Sequence, residues 1–224
     1  MVEGNIERIP AVLGSLERER RTGLLRVGTD GSVRFDRGAV IDAESRHAPG
    51  PGRLPEGPDP ELTALLAMFD AAYFLLGSTA EPVFTEGPPS GRPRRITVAT
   101  LVHERRRRRA LLDAAWPDGA VDAAPVMPVR RVRRQRVILT GVQAEILLNA
   151  DGRRTPARLA RELGRTAFGC VLAVRGLAAA SLIRTEPPAV PGPPPPPRTE
   201  IPADWAPADH DLLGRLRAAL VELG

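Results

Sequence analysis

Lysine is absent from this chain of 224 residues, in which all 32 basic residues are arginine. Without lysine the chain cannot form a phosphate-binding P-loop, a Schiff base or a kinase-type active site, each of which depends on that side chain. Cysteine occurs once, as Cys170 within a helical pattern, where a small buried hydrophobe is the simplest interpretation. The arginine-only composition also indicates a coding bias, so each arginine is weaker evidence for a contact than usual.

Other absences narrow the class of protein further. No apolar run approaches the roughly 18 residues that a membrane helix needs, and the first residues lack the basic and apolar regions of a signal peptide. The three histidines, His47, His103 and His210, do not have metal-ligand spacing. We therefore expect a reduced, cytoplasmic protein that is not an enzyme and has no cofactor, no metal site and no evident small-molecule substrate.

Positive charge is concentrated in the middle of the chain. Residues 94–136 contain 12 arginines and four acidic residues, a net charge of +8, whereas the whole chain has only +5. Such a basic belt suggests an anionic partner. The run Arg105–Arg109 at its centre has three interpretations: a nucleic-acid patch, a patch for anionic membranes, or a solvated helix.

The first part of the chain predicts a small sheet with helices. A helix begins near Ile9, and three short alternating runs separated by turns predict an antiparallel meander. A loop rich in proline and glycine follows, then a helix over Pro60–Asp70 and a last strand over Tyr73–Leu76. The predicted meander strands are Gly23–Val27, Ser32–Asp36 and Ala39–Ala43.

The segments GNIERIPAVLGSLERERRTGLLRV, VRFDRGAVIDAES, ELTALLAMFD and AYFLL resemble a module at the N-terminus of PatA-type regulators, also called DUF4388. The resemblance covers Gly4 to about Leu76, and the chain departs from it at Met68–Ala72, where Trp and Gly are usual. It implies regulatory or signalling partners and no reaction.

Three helical patterns follow between Arg133 and Thr185. Thr140 caps the first, Thr155 precedes a proline at the start of the second, and Thr166 caps the third. Gly164 supplies the turn between the last two helices, and a short strand follows over 182–185. This order resembles the winged helix-turn-helix domain of bacterial regulators, which implies either DNA binding or protein docking.

The sequence thus predicts an α+β protein: an N-terminal antiparallel-sheet module with helices, then a basic helix and a C-terminal winged-helix domain. A stiff proline-rich spacer, with a less favoured role as a recognition ligand, leads into an amphipathic terminal helix. The predicted boundaries are 1–86 for the PatA-like module, 95–117 for the basic connecting helix, 129–186 for the winged helix, 187–203 for the proline-rich linker and 204–224 for the terminal helix.

The favoured function is a transcriptional regulator that contacts DNA mainly through backbone charge, and the alternative is a protein–protein adaptor in signalling or assembly. The third winged-helix pattern offers few side chains that can read bases, so phosphate contacts would dominate. The predicted DNA-binding residues are Arg105, Arg108, Arg109, Arg153, Arg154, Arg158, Arg165, Thr166, Arg175 and Arg184.

Two further surfaces are predicted to be covered by protein. The small-residue face of the third pattern would be covered by the terminal helix or by a second copy of the chain, and the terminal helix would pack on another surface of the same chain or on a partner. Small residues recur along one face of the third pattern, where another backbone can approach closely. Leucines form a stripe on the terminal helix, which is too short to be stable in water without packing. The predicted protein-interaction residues are Gly169, Ala173, Gly176, Ala180, Leu212, Leu216 and Leu220.

Overall fold

The computed structural model describes residues 8–55, 59–89, 94–129 and 136–185. All the described residues belong to one compact unit. The proline-rich linker and the terminal helix predicted from the sequence lie outside the described residues. Six helices and a four-stranded antiparallel sheet within the described part confirm the predicted α+β class.

The sheet begins after the first helix, α1 (Arg8–Arg18), which buries Ile9, Leu13 and Leu16. The predicted meander is confirmed, with all neighbouring strands antiparallel in the order β3-β2-β1-β4. The inward residues of the strands, such as Leu25 and Phe35, are almost fully buried, and each contributes roughly 1.5–3 kcal/mol of burial free energy. The strands are β1 (Gly23–Val27), β2 (Gly31–Asp36), β3 (Ala39–Ser45) and β4 (Pro82–Glu86).

The predicted last strand over Tyr73–Leu76 is wrong, because helix α2 runs without interruption from Pro60 to Leu75. No glycine or proline breaks the helix after Asp70, and Ala71, Ala72 and Leu75 are buried against its neighbours. An apolar run that is buried on several sides has no period that separates strand from helix. The fourth strand comes instead from residues 82–86 and pairs with β1.

The basic connecting helix is observed as α3 (Val98–Ala115). Its entry is fastened to the sheet by a bridge between Val40 and Ile96 and by Arg95, which donates to Asp36 at 3.2 Å. A Glu17 carboxylate oxygen also accepts the Val98 backbone N–H at 2.9 Å, which satisfies a donor in the first turn of α3. The helix is therefore positioned by the N-terminal module.

Three helices follow: α4 (Gly141–Asn149), α5 (Pro156–Leu163) and α6 (Ala167–Ala179). The predicted caps are confirmed: Thr140, Thr155 and Thr166 each accept a backbone N–H of their own helix. Gly164 ends α5 in the left-handed conformation, with φ of 64°. We call the part of the molecule that contains these three helices the three-helix half. Helix α6 packs against α3, α4 and α5 and buries eight of its 13 residues, so it lies at the centre of the three-helix half.

The strand predicted after α6 is reduced to one bridge, between Ile183 and Pro128. Residues 126–129 lie between two other segments and bond to both. On one side Val126 exchanges backbone hydrogen bonds with residues 152–154, and on the other Val129 and Met127 bond to residues 182–184. We call these three segments the ladder.

Candidate functional site

The five consecutive arginines lie on α3 in different surroundings. Arg107 donates to both carboxylate oxygens of Glu104, at 2.7 and 2.8 Å, and Arg109 pairs with Asp113 at 3.0 Å. Both pairs link residues one turn apart, which stabilises a helix by only a few tenths of a kcal/mol per pair. The run is not one uniform patch: Arg105 is half-buried, Arg106, Arg107 and Arg109 are exposed, and Arg108 is buried.

Arg108 was expected at the surface, and this expectation is wrong because its guanidinium is enclosed between α2, α3 and α6. It donates to Glu104 at 2.8 Å and to Asp70 at 3.3 Å, and it lies 4.7 Å above the Phe168 ring. Asp70 also accepts the backbone N–H groups of Ala167 and Phe168, at 2.6 and 2.9 Å. One carboxylate therefore joins the end of α2, the middle of α3 and the start of α6.

The pKa values of the two carboxylates around Arg108 are shifted in opposite directions. Burial raises the pKa of Asp70, although the N–H groups of Phe168 and Ala167 and the Arg108 guanidinium act against this shift. Glu104 is less enclosed, and its hydrogen bonds from Arg107 and Arg108 lower its pKa to about 2. Glu104 is therefore ionised at neutral pH and holds both arginines.

Arg175 was also expected on the exposed face of its helix, but it is fully buried. Its guanidinium donates to both oxygens of Asp122, at 2.6 and 2.7 Å, to Asp113 at 3.0 Å and to the Trp116 carbonyl at 2.7 Å. These acceptors raise the pKa of Arg175, the Asp122 hydrogen bonds most of all. Arg175 therefore fastens α6 to the end of α3 and to the turn that follows it.

Three of the other arginines predicted to bind DNA are held by carboxylates of the three-helix half. Arg154 and Arg158 each contact one oxygen of Glu162 at 2.9 Å. Arg165 donates to both oxygens of Glu145, at 2.7 and 3.0 Å. These pairs are exposed enough for water to compete, so a partner could still displace them.

Thr166 is engaged as the cap of α6, because its hydroxyl accepts the Gly169 N–H at 3.2 Å. Arg153 and Arg184 are exposed and form no ion pair with another described residue. They lie on the two outer segments of the ladder, on either side of residues 126–129. After residue 129 the chain continues into residues 130–135, which include four more arginines and lie outside the described residues.

The small-residue face of α6 is largely covered from within the chain. A side chain at Gly176 would meet the Gln143 amide nitrogen of α4 at 2.6 Å, so the glycine permits this close approach. Ala173 is buried, whereas Gly169 and Ala180 are half-buried. Helix α4, and not a second copy, lies against Gly176. Leu212, Leu216 and Leu220 of the terminal helix lie outside the described residues, and their role stays a prediction.

An apolar ridge is exposed on the first turns of α2. Leu62 and Leu66, one turn apart, are 52% and 43% exposed, and we call this pair the α2 ridge. On one side is a groove of about 550 Å³ that reaches Ile96, and on the other a groove of about 360 Å³ that reaches Val142 and Gly169. Three predicted site residues share the smaller groove: Arg165, Thr166 and Gly169.

The residues that organise this region were missed in the sequence. Asp70 stands within the apolar run MFDAAYFLL, where a single carboxylate is a recognisable signal for a buried ion pair. Asp113 and Asp122, the partners of Arg175, also stand among apolar residues, but nothing in the sequence indicates that they meet an arginine 62 and 53 residues away along the chain. Pairing over such distances is decided by the fold.

No helix in the described ranges is long and apolar enough to cross a membrane. Comparison with family models finds no match for this chain, and neither curated proteins nor solved structures show a similar protein.

Proposed function

We propose that this protein is a non-enzymatic regulatory adaptor that uses the α2 ridge to hold a helical segment of a protein partner. The observation that carries the proposal is the exposure of two leucines, one turn apart, between two grooves. Exposed apolar side chains that are contiguous and bordered by polar groups are typical of protein-binding surfaces. The resemblance of the first part of the chain to PatA-type regulators supports the same role.

The burial of α6 favours protein docking over base reading. In a helix-turn-helix protein the third helix must enter the major groove with its first turns exposed. Here the first turn of α6 is capped by Asp70 from α2, and Phe168 lies against Arg108. Inserting α6 into DNA would require these contacts to break, and breaking a buried ion pair costs about 3–5 kcal/mol.

The chemistry of the α2 ridge indicates the kind of partner. Leu62 and Leu66 have the spacing that fits apolar residues on one face of an amphipathic helix. Arg165 borders the smaller groove, and Glu61 and Arg94 border the larger one. A helix with a leucine-type stripe and charges of both signs at its edges would match this surface.

Photo-crosslinking in cells of the native host tests the adaptor function. A crosslinking amino acid at Leu66 should yield one discrete protein adduct, because this side chain lies at the centre of the proposed contact. The same amino acid at Val83, an apolar residue of β4 that is 58% exposed, is the matched control and should yield none. The adduct should disappear when Leu62→Glu is introduced into the Leu66 crosslinking chain.

Two results would contradict the adaptor proposal. One is the lack of any discrete adduct at Leu66 while the chain is folded and abundant. The other is an equal adduct at Val83, which would indicate non-specific contact. Unfolding measurements on Leu62→Glu should show a change within about 0.5 kcal/mol, since this residue is exposed.

DNA binding is the second candidate, and the ladder is the observation in its favour. Arg153 and Arg184 flank residues 126–129, and an arginine-rich segment follows directly. This arrangement could hold phosphates without reading bases.

Affinity for duplex DNA measured against salt concentration tests this candidate. Each phosphate contact contributes about −0.9 to the slope of log affinity against log salt, so Arg153→Ala with Arg184→Ala should flatten the slope by about two such steps. Arg107→Ala, which removes an arginine held by Glu104, is the matched control. An unchanged slope in the double variant would exclude the ladder as the DNA-binding surface.

A further inference from the structure

A cleft is lined by the end of α2, the middle of α3 and the start of α5. Its volume is about 680 Å³, within the range of ligand-binding sites. The N-terminal half contributes His47, Tyr73 and Phe74, helix α3 contributes Arg105 and Arg109, and the three-helix half contributes Thr155 among others. We call this space the arginine cleft.

The guanidinium groups of Arg105 and Arg109, which line the arginine cleft, have N–H donors without an acceptor among the described residues. Arg105 is half-buried, yet it forms no ion pair or hydrogen bond with any described residue. Its charged neighbours Arg106 and Arg109 are cations, and burial lowers its pKa. Arg109 contacts Asp113 through Nε, which leaves both of its terminal amino groups for another acceptor. A half-buried cation without a partner is costly, and an anion would remove this cost.

The carboxylates of the arginine cleft do not neutralise Arg105. Both oxygens of Asp122 are taken by Arg175. Asp30 accepts the Ser78 hydroxyl at 2.5 Å with one oxygen and contacts Arg46 at 3.1 Å with the other. The charge in the cleft that no described residue neutralises is therefore positive.

Aromatic rings line the same cleft as these cations. The Tyr73 and Phe74 rings meet edge to face at 5.2 Å, and His47 lies 5.8 Å from Phe74. The chain has only eight Phe, Tyr and Trp residues in total, so two of them with a histidine in one cleft is a local concentration. Such rings pack well against a planar base. The Tyr73 hydroxyl has no hydrogen-bond partner among the described residues and could donate to a ligand.

Glycine at position 77 supplies the room that Arg105 occupies. A side chain there would start 3.3 Å from a terminal nitrogen of the Arg105 guanidinium. Gly77 does not have a positive φ, so its backbone conformation does not require glycine. The absence of a side chain instead leaves the guanidinium beside the backbone at the rim of the cleft.

We propose that the arginine cleft binds a nucleoside phosphate, with the phosphate on Arg105 and Arg109 and the base against Tyr73, Phe74 and His47. Arginine suits this role because its planar donors match phosphate oxygens in pairs. Since the cleft lies between the two halves of the unit, a bound ligand would contact both. The proposal is independent of the adaptor function, because it uses a different surface and a different ligand.

Calorimetric titration of the full chain with adenosine and guanosine monophosphate tests the proposal. At least one of them should bind, and adenosine or guanosine without phosphate should bind about 10-fold or more weakly, since they lack the anion. Inorganic phosphate should also bind more weakly, because it lacks the base. Binding of inorganic phosphate equal to that of the nucleotides would overturn the role of the rings.

Variants of single arginines test which side chains contact the nucleotide. Arg105→Gln and Arg109→Gln should each weaken nucleotide binding by about 10- to 100-fold, the effect of losing a charge-assisted hydrogen bond. Arg105→Lys should retain part of the affinity, because it keeps the charge without the paired donors. Arg107→Gln is the matched control on the same helix and should bind as the unmodified chain does, because Glu104 holds that arginine outside the cleft.

Amide chemical shifts distinguish a loss of folding from a loss of binding. Amide chemical shifts of Gly77, Thr79 and Thr155 report on the cleft directly and should move on nucleotide addition in the unmodified chain. If neither nucleotide binds, or if Arg105→Gln binds as tightly as the unmodified chain, the proposal is wrong. Binding of a short glutamate-rich peptide that requires Arg105, with no nucleotide binding, would likewise overturn the ligand class.

Discussion

Arg105 and Arg108 stand less than one turn apart on α3 but lie in opposite environments. Arg108 faces α2 and α6, where Asp70, Glu104 and the Phe168 ring surround its guanidinium. Arg105 faces the arginine cleft and forms no ion pair with a described residue. One arginine run therefore supplies both a buried structural junction and a half-buried cation that lines a cleft.

The same contrast holds for the two sides of α3. On the side that faces α6, the buried charges are compensated: Arg175 has four acceptor contacts and Asp70 accepts from three donors. On the side of the cleft, the cations exceed the free carboxylates. Buried charges must be paired to be tolerated, so the paired side is expected to contribute to stability and the unpaired side to binding.

Removal of Arg175 should have the largest effect on stability. Arg175→Met keeps the volume but leaves Asp122 and the Trp116 carbonyl without their buried donor. We expect a loss of about 3 kcal/mol, the lower end for a broken buried pair, because both partner carboxylates are partly exposed. Urea unfolding measures it, with Arg107→Met as the exposed control. A loss no larger than the control's would show that the paired side is not the more stable one.

Asp70→Asn should have the next largest effect. The amide keeps one oxygen. In the position of Oδ1 this oxygen would still accept from Phe168 and Arg108 and leave the Ala167 N–H without its acceptor, and in the position of Oδ2 it would accept from Ala167 alone. We expect a loss of about 2–3 kcal/mol in the free energy of unfolding. Hydrogen exchange should show faster exchange at Ala167 and Phe168 than elsewhere in α6. Unchanged exchange at these amides would contradict the capping role of Asp70.

Acid should weaken the junction through Glu104. Its folded pKa of about 2 is below the ordinary value of 4.5, so it stabilises the fold above pH 4.5 and loses this contribution as the pH falls towards 2. Glu104→Gln should therefore show a smaller fall in stability than the unmodified chain between about pH 6 and about pH 3. Parallel stability curves for the two chains would show that the Glu104 pairs do not persist in solution.

Arg105→Gln should have the smallest effect on stability. It is the most direct test of the difference between the unpaired Arg105 and the paired arginines that face α6. Since Arg105 has no described partner, its removal leaves no carboxylate unpaired. We expect a change within about 0.5 kcal/mol of zero, or a slight gain, in the absence of ligand. Urea unfolding beside Arg175→Met tests this in one experiment. A loss above about 1 kcal/mol would mean that Arg105 has an internal partner and is not reserved for a ligand.

Local patterns were sufficient to predict most elements of the fold. Thr140, Thr155 and Thr166 cap their helices as predicted, and Gly164 adopts the left-handed conformation. The failures were the stretch after Asp70, which continues a helix, and the strand after α6, which is one bridge. The stretch after Asp70 is apolar and buried on several sides, so its period carried no information about which structure it adopts. After α6, only Leu182 and Ile183 are buried, and the pairing ends at Ile183.

The sequence by itself determined the caps, the turns, the meander and the concentration of arginine in the middle of the chain, because each depends on neighbours within a few residues. Only the tertiary structure decided which arginine is buried. Arg108 and Arg175 meet carboxylates 38 to 62 residues away, and Arg105 meets none that is described. Compensation of charge is a property of three-dimensional neighbours, so identical residues in one run acquire different roles.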